Sequence, residues 1–175
     1  MKVAFLDRDG VINKYPGDKK YVNNKDEFEF IAGSIEAIKK LKKSGFKVFV
    51  ISNQAGVSKG LYTHRDLEEI NDKLQSGLAA QGASVDKIYY CTHHPDCECD
   101  CRKPKTGLLE QAISDLGQVP DESFFIGDSF KDLKAAIAFG ATPILVLSGR
   151  ENKACLLYTS PSPRDLSTSR MPSSA

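Results

Sequence analysis

Val3-Ala4-Phe5-Leu6-Asp7-Arg8-Asp9-Gly10 is the stretch on which the fold turns. Four apolar residues run without alternation into three charged ones and a glycine. An apolar run this short and unbroken suits a strand buried on both faces, as in a parallel sheet. The charges then fall at the C-terminal end of that strand, where open α/β sheets bind their ligands.

The rest of the chain repeats the pattern. Residues 46–51, 87–90, 123–126 and 143–147 are further apolar or β-branched runs. Amphipathic stretches lie between most of them. Ser34 is expected to cap a helix bearing Ile35, Ile38 and Leu41, stopped by Gly45. Thr63, with Asp66 three residues on, opens a helix with Leu67, Ile70, Leu74 and Leu78 on one face. Thr106 and Ser129 are expected to cap two more, ended by Gly117 and Gly140. Strand and helix in alternation predict an α/β fold, a three-layer, Rossmann-like parallel sheet.

Composition sets the outer limits. The 175 residues carry 24 basic and 23 acidic side chains, a net charge of +1. That balance argues against a nucleic-acid binder held by charge. No apolar run approaches the ~20 residues of a membrane span. Asp7 interrupts the first apolar run too early for a signal peptide. A soluble, cytoplasmic protein is the expectation, with no nucleic-acid or membrane partner. Residues 155–175 read differently: 11 of these 21 are Ser, Thr or Pro. Such a segment buries too little to offset its ordering entropy, and it resembles translated sequencing-adapter read-through. The expected division is one folded domain over 1–154 and a Ser/Pro-rich tail, not native to the fold, over 155–175.

The chemistry open to that domain depends on what the strand ends deliver. Asp7, Arg8 and Asp9 follow the first strand, Ser52-Asn53-Gln54 the second, Arg102-Lys103 the loop after the third, and Gly127-Asp128-Ser129 the fourth. Loops are wet, so any one of these is unremarked; acids, a hydroxyl and a lysine on one rim are not. Such a set suits phosphoryl transfer. A carboxylate can attack phosphorus, but nucleophile and phosphate repel by roughly 4 kcal/mol at ~4 Å and a dielectric near 20. A magnesium ion on Asp7, Asp128 and a backbone carbonyl of the Asp7–Asp9 loop would relieve this. Lys103 and Ser52 would hold phosphoryl oxygens, and Asp9 would serve as general acid and then base.

These residues resemble the four motifs of the haloacid-dehalogenase superfamily of phosphatases. Asp7-Arg8-Asp9 is similar to its first, Ser52 to its second, Lys103 to its third, and Gly127-Asp128 through Asp132 to its fourth. The resemblance covers residues 1 to about 150 and implies that the domain over 1–154 is a phosphatase domain. It implies the haloacid-dehalogenase fold, and the short spacer from Asn13 to Ser34 implies a minimal cap.

Cys91, Cys97, Cys99 and Cys101 crowd beside His93 and His94. Thiolates and imidazole at this density suit tetrahedral zinc. Cys91, His93, Cys99 and Cys101 are the expected ligands of this zinc-binding loop (residues 91–101). Cys97 is a spare able to replace one of them, and His94 could replace His93. A closed site is structural and would fold the loop that presents Arg102 and Lys103. This loop, with Asn53-Gln54-Ala55-Gly56 and His93-His94-Pro95, resembles the D-glycero-D-manno-heptose 1,7-bisphosphate phosphatases, and beside them the histidinol-phosphate phosphatases. The resemblance implies Asp7 as nucleophile and Asp9 as proton donor. It implies Mg2+ at Asp7, Asp9 and Asp128, structural Zn2+, and a small phosphorylated sugar as substrate of a monomer. Arg102 would read a second phosphate, with Tyr21, Asn53, Gln54 and Ser129 also at the substrate. Ser129 stands where some relatives carry Lys, and residues 14–20 are more basic than the family leads one to expect. The competing non-enzyme reading is a phosphorelay receiver domain, but its phosphorylated Asp follows a later strand and it needs no zinc.

Overall fold

The structure, a computed structural model, describes residues 1–150. The expected tail lies outside the described residues. Five parallel strands form one sheet: β1 (Lys2–Leu6), β2 (Phe46–Asn53), β3 (Lys87–Cys91), β4 (Glu122–Gly127) and β5 (Thr142–Leu145), in the order β3-β2-β1-β4-β5. Four helices connect them: α1 (Ser34–Lys43), α2 (His64–Ala80), α3 (Gly107–Leu116) and α4 (Phe130–Phe139).

Strand alternation builds two cores from one sheet. On one face Val3, Phe5, Phe49, Ile51 and Phe125 pack with Leu108, Leu109, Ala112, Ala135 and Ala136 of α3 and α4. On the other, Ala4, Leu6, Val48 and Val50 pack with Ile35, Ile38, Ile70, Leu74 and Leu78 of α1 and α2. The three layers follow from burial on both faces, which is why the strands read as continuous apolar runs. Strand order reverses between β1 and β4. This switch point opens a crevice at the strand ends, and Asp7 and Asp128 flank it.

Local structure corrects some expectations. Gly33, in the left-handed region at φ 84°, caps α1, and Ser34 is its first residue. Thr106 makes no capping hydrogen bond; its hydroxyl donates to Glu110 Oε1 at 2.6 Å. Thr63 and Asp66 form the expected reciprocal cap of α2. β5 ends at Leu145. The Val146 N–H still donates to the Gly127 carbonyl of β4 (2.9 Å), and beyond it Ser148 Oγ donates to the Gly10 carbonyl (2.7 Å), so the chain returns over the end of β1. Between β1 and α1 lie isolated bridges at Asn13 and a single 3-10 turn, Lys25–Glu27. That is a cap of loops.

Candidate active site

A cleft of ≈ 290 Å³ opens at the switch point. Asp7, Asp9, Ser52, Asn53, Lys103, Asp128 and Asp132 line its floor, and its walls bring Tyr21, Lys59, Arg102, Ser129, Lys131 and Arg150. Four chain crossings therefore meet at one place.

Lys103 is the centre of the floor. It is 2% exposed, and its ammonium lies 2.7 Å from Asp132 Oδ1 and 3.0 Å from Asp7 Oδ1. It also donates to the Ile51 carbonyl at 2.8 Å. Burial works against its charge, but Asp132 and Asp7 outweigh it and hold its pKa up at about 12. Its backbone is clamped at two points: Asn53 Nδ2 donates to the Lys103 carbonyl and the Lys103 N–H donates to Asn53 Oδ1, both at 3.1 Å.

The carboxylates differ in their surroundings. Burial pushes Asp7 up to about 7, against the pull of Lys103, and Asp132, Asp128 and Asp9 add to the rise. Asp128 is pushed up to about 6, again mainly by burial. One lysine thus faces a surplus of buried acid. Asp7, Asp128 and Asp132 each offer an oxygen within 4.8 Å of the others, a donor set that fits a hard divalent cation. Asp132, which closes the fourth motif and was given no role of its own, is already engaged. Its Oδ2 accepts from the Ser129 N–H (3.1 Å) and hydroxyl (2.6 Å), and its Oδ1 faces Lys103. The Ser129 hydroxyl is therefore spent on Asp132.

Asp9 stands apart. Its carboxylate does not join the Asp7–Asp128–Asp132 group; it accepts from Arg8, Asn13 and Gln54 at 2.8–3.2 Å. Burial raises its pKa, but Arg8 and the two amides outweigh burial and hold it below the usual range. Gln54, expected to touch substrate, does not reach the cleft wall: it is fully buried and grips Asp9 instead. Arg102 does line the cleft, and its Nη1 is buried with no hydrogen-bond partner.

Behind Lys103 lies the thiol cluster. Cys91, His93, Cys99 and Cys101 bring their ligand atoms within 4.8 Å of one another. Cys91 Sγ is 3.7 Å from Cys99 Sγ and from His93 Nδ1, and His93 Nδ1 is 3.1 Å from Cys101 Sγ. Tetrahedral bonds of ~2.3 Å put two sulfurs about 3.8 Å apart, so the set fits zinc. Cys97 is exposed and outside the group, and His94 pairs with Asp96. Of the alternatives left open by spacing, the structure gathers the first.

Comparison with known proteins agrees with this geometry. A family model described as polynucleotide kinase 3 phosphatase matches residues 2–141. The D-glycero-beta-D-manno-heptose-1,7-bisphosphate 7-phosphatase of Pseudomonas putida is 46% identical over 151 residues, covering 86% of this chain and 85% of that one. The enzyme of that name from Helicobacter pylori is 42% identical over 137 residues, 78% of each. The chain belongs to the haloacid-dehalogenase-like phosphatases. A solved D,D-heptose 1,7-bisphosphate phosphatase from B. bronchiseptica, complexed with magnesium and phosphate, superposes with a TM-score of 0.84 at 35% identity. It covers 93% of this chain and 89% of its own. The same fold thus occurs in a relative whose structure holds magnesium and phosphate. Tyr62 and Arg8, the latter named only as part of the first motif, are members of this phosphatase site to which the sequence reading gave no role. Asp132 was named there only as the end of the fourth motif, without a role, and the structure sets it on Lys103.

Proposed function

We infer that the protein is a magnesium-dependent phosphatase that removes the C7 phosphate of D-glycero-D-manno-heptose 1,7-bisphosphate through an aspartyl-phosphate. The carrying observation is Lys103, buried between Asp7 and Asp132 beside Asp128, in a chain 46% identical to a phosphatase named for that substrate.

Hydrogen bonds to the Asp7 carboxylate among the described residues fall on Oδ1, from the Arg8 N–H at 2.7 Å and, as an ion pair, Lys103. Oδ2 is left to attack phosphorus. The P–O bond to C7 breaks, and Asp9 gives the leaving oxygen a proton. Entry of the anionic phosphate beside Asp9 raises its proton affinity, which fits it for that step. Asp9 then takes a proton from the water that attacks the aspartyl-phosphate, and inorganic phosphate leaves. Ser52 and Lys103 hold the non-reacting oxygens. Asp7 and Asp128 would hold Mg2+, which supplies charge neutralisation for the phosphoryl group. Cys91, His93, Cys99 and Cys101 would hold Zn2+ and brace the loop bearing Arg102 and Lys103. Arg102, with Tyr21 and the cleft-wall lysines, takes the distal phosphate and sugar.

All these groups come from one chain, which supports a monomer. Among the described residues no helix is long and apolar enough to cross a membrane, and reduced thiols at the zinc site suit the cytoplasm. The test is phosphate release with magnesium from heptose 1,7-bisphosphate, histidinol phosphate and an end-phosphorylated oligonucleotide. Release from the bisphosphate, abolished by Asp7→Asn, is expected. Release only from another substrate would overturn the substrate and keep the chemistry.

A further inference from the structure

Gln54 is a fully buried polar side chain for which substrate contact gives no account. Its amide has two donors and two acceptor sites, and all four are taken. Oε1 accepts from the Tyr62 hydroxyl at 2.6 Å and from Arg8 Nη2 at 3.2 Å. Nε2 donates to Asp9 Oδ2 at 2.8 Å and to Ser52 Oγ at 3.1 Å. Turning the amide over would set donor against donor at Arg8 and acceptor against acceptor at Asp9. Its orientation is therefore fixed from both ends. The backbone is held too, since the Gln54 N–H donates to the Cys91 carbonyl at 2.7 Å.

We propose that Gln54 is a positioning residue that couples Asp9 to Ser52, with Tyr62 and Arg8 fixing its amide. Two consequences follow from the hydrogen-bond directions. The Ser52 oxygen accepts from Gln54, so its own proton is free to point at a phosphoryl oxygen. The Asp9 Oδ2 is held by Gln54 Nε2 (2.8 Å) and by Arg8 Nη2 (3.1 Å), so its carboxyl meets the leaving oxygen in one geometry. Tyr62 is 5% exposed and packs on Gly56, where a Cβ would lie 2.1 Å from the ring, so Tyr62 has little room to swing away from Gln54.

This inference rests on the reading of Asp9 as proton donor, and the test separates the two. An alkyl phosphate needs its leaving alkoxide protonated, whereas p-nitrophenyl phosphate expels a stable phenolate without help. kcat/KM reports the steps through that first expulsion. Gln54→Leu is expected to lower kcat/KM about 100-fold for heptose 1,7-bisphosphate and no more than about 10-fold for p-nitrophenyl phosphate, since proton transfer contributes on the order of 100-fold or more. Tyr62→Phe, a milder change that keeps the ring, is expected to shift the same ratio the same way by a factor of about 3–10. Thermal melts monitor folding, and if Gln54→Leu does not fold, Tyr62→Phe decides. Equal losses on both substrates, or no loss, in an active wild-type background would overturn this inference alone. A wild type silent on both substrates would overturn the phosphatase reading and this inference with it.

Discussion

Asp128 sits between two glycines that leave no space for anything larger. A Cβ on Gly10 would lie 2.2 Å from Asp128 Oδ2, and one on Gly149 2.0 Å from the same oxygen. Gly10 also has φ +83°, which L side chains rarely adopt. Gly10→Ala is therefore expected to displace the Asp128 carboxylate from Asp7. The magnesium concentration for half-maximal activity should rise about tenfold, the equivalent of ~1.4 kcal/mol in ion affinity. A magnesium titration of turnover checks this. Ser52, Asn53 and Gln54 show how finely roles divide at this scale: one hydroxyl lines the cleft, the next side chain clamps Lys103, and the third grips Asp9. Alternation along a strand end sends neighbours in different directions. Of the two neighbours expected at the substrate, Asn53 lines the cleft and Gln54 does not.

Elements are tied together by a few polar knots. Asp86, ahead of β3, accepts from Lys42 of α1 (2.5 Å), and from the Lys47 ammonium (3.2 Å) and the Val48 N–H (2.7 Å) of β2. Burial opposes its charge, but the Lys42 and backbone hydrogen bonds outweigh it and hold its pKa below the usual range. A carboxyl with a depressed folded pKa contributes stability that is present above its unfolded value, near 4, and is lost as pH falls through the folded value. Asp86→Asn should cost about 1–2 kcal/mol in urea unfolding at pH 7, and that difference should shrink below pH 4. The zinc loop is a second such knot, joining the end of β3 to the approach to α3. Cys97→Ser is expected to leave one zinc per chain. Cys99→Ser should lose it and lower Tm on the order of 5–10 °C. Metal analysis and a thermal melt read both.

At the level of the whole molecule, the site is assembled at a cost to the metal-free fold. Asp128 has a folded pKa of about 6, raised mainly by burial. Its ionisation between about pH 4 and 6 therefore removes stability, and the penalty is present in full above that window. Asp128→Asn keeps an acceptor for the Arg150 N–H, now 2.7 Å from Oδ2, and removes the charge. Metal-free Asp128→Asn is expected to be more stable than wild type by about 1–2 kcal/mol at pH 7.5, to lose that advantage near pH 4, and to be inactive at any magnesium concentration. Denaturant unfolding at the two pH values, beside an activity assay, tests this exchange of stability for function.

The sequence by itself determined the sheet, its three layers and the edge that carries the chemistry. Unbroken apolar runs can be buried only on both faces, and polar residues at their ends can go only to the rim. It also placed the four residues whose cluster fits zinc within a short loop, because groups so close in sequence need little help from the fold to meet. Only the tertiary structure decided what lies across the chain. Lys103 stands between Asp7 and Asp132, and Asp9 is surrounded by Arg8, Asn13 and Gln54 rather than turned to a metal. The edge of β5 was misjudged because beyond Val146 the chain closes over Gly10. Those arrangements depend on distances between residues far apart in sequence, which strand order and crossover set and which no local pattern of residues encodes.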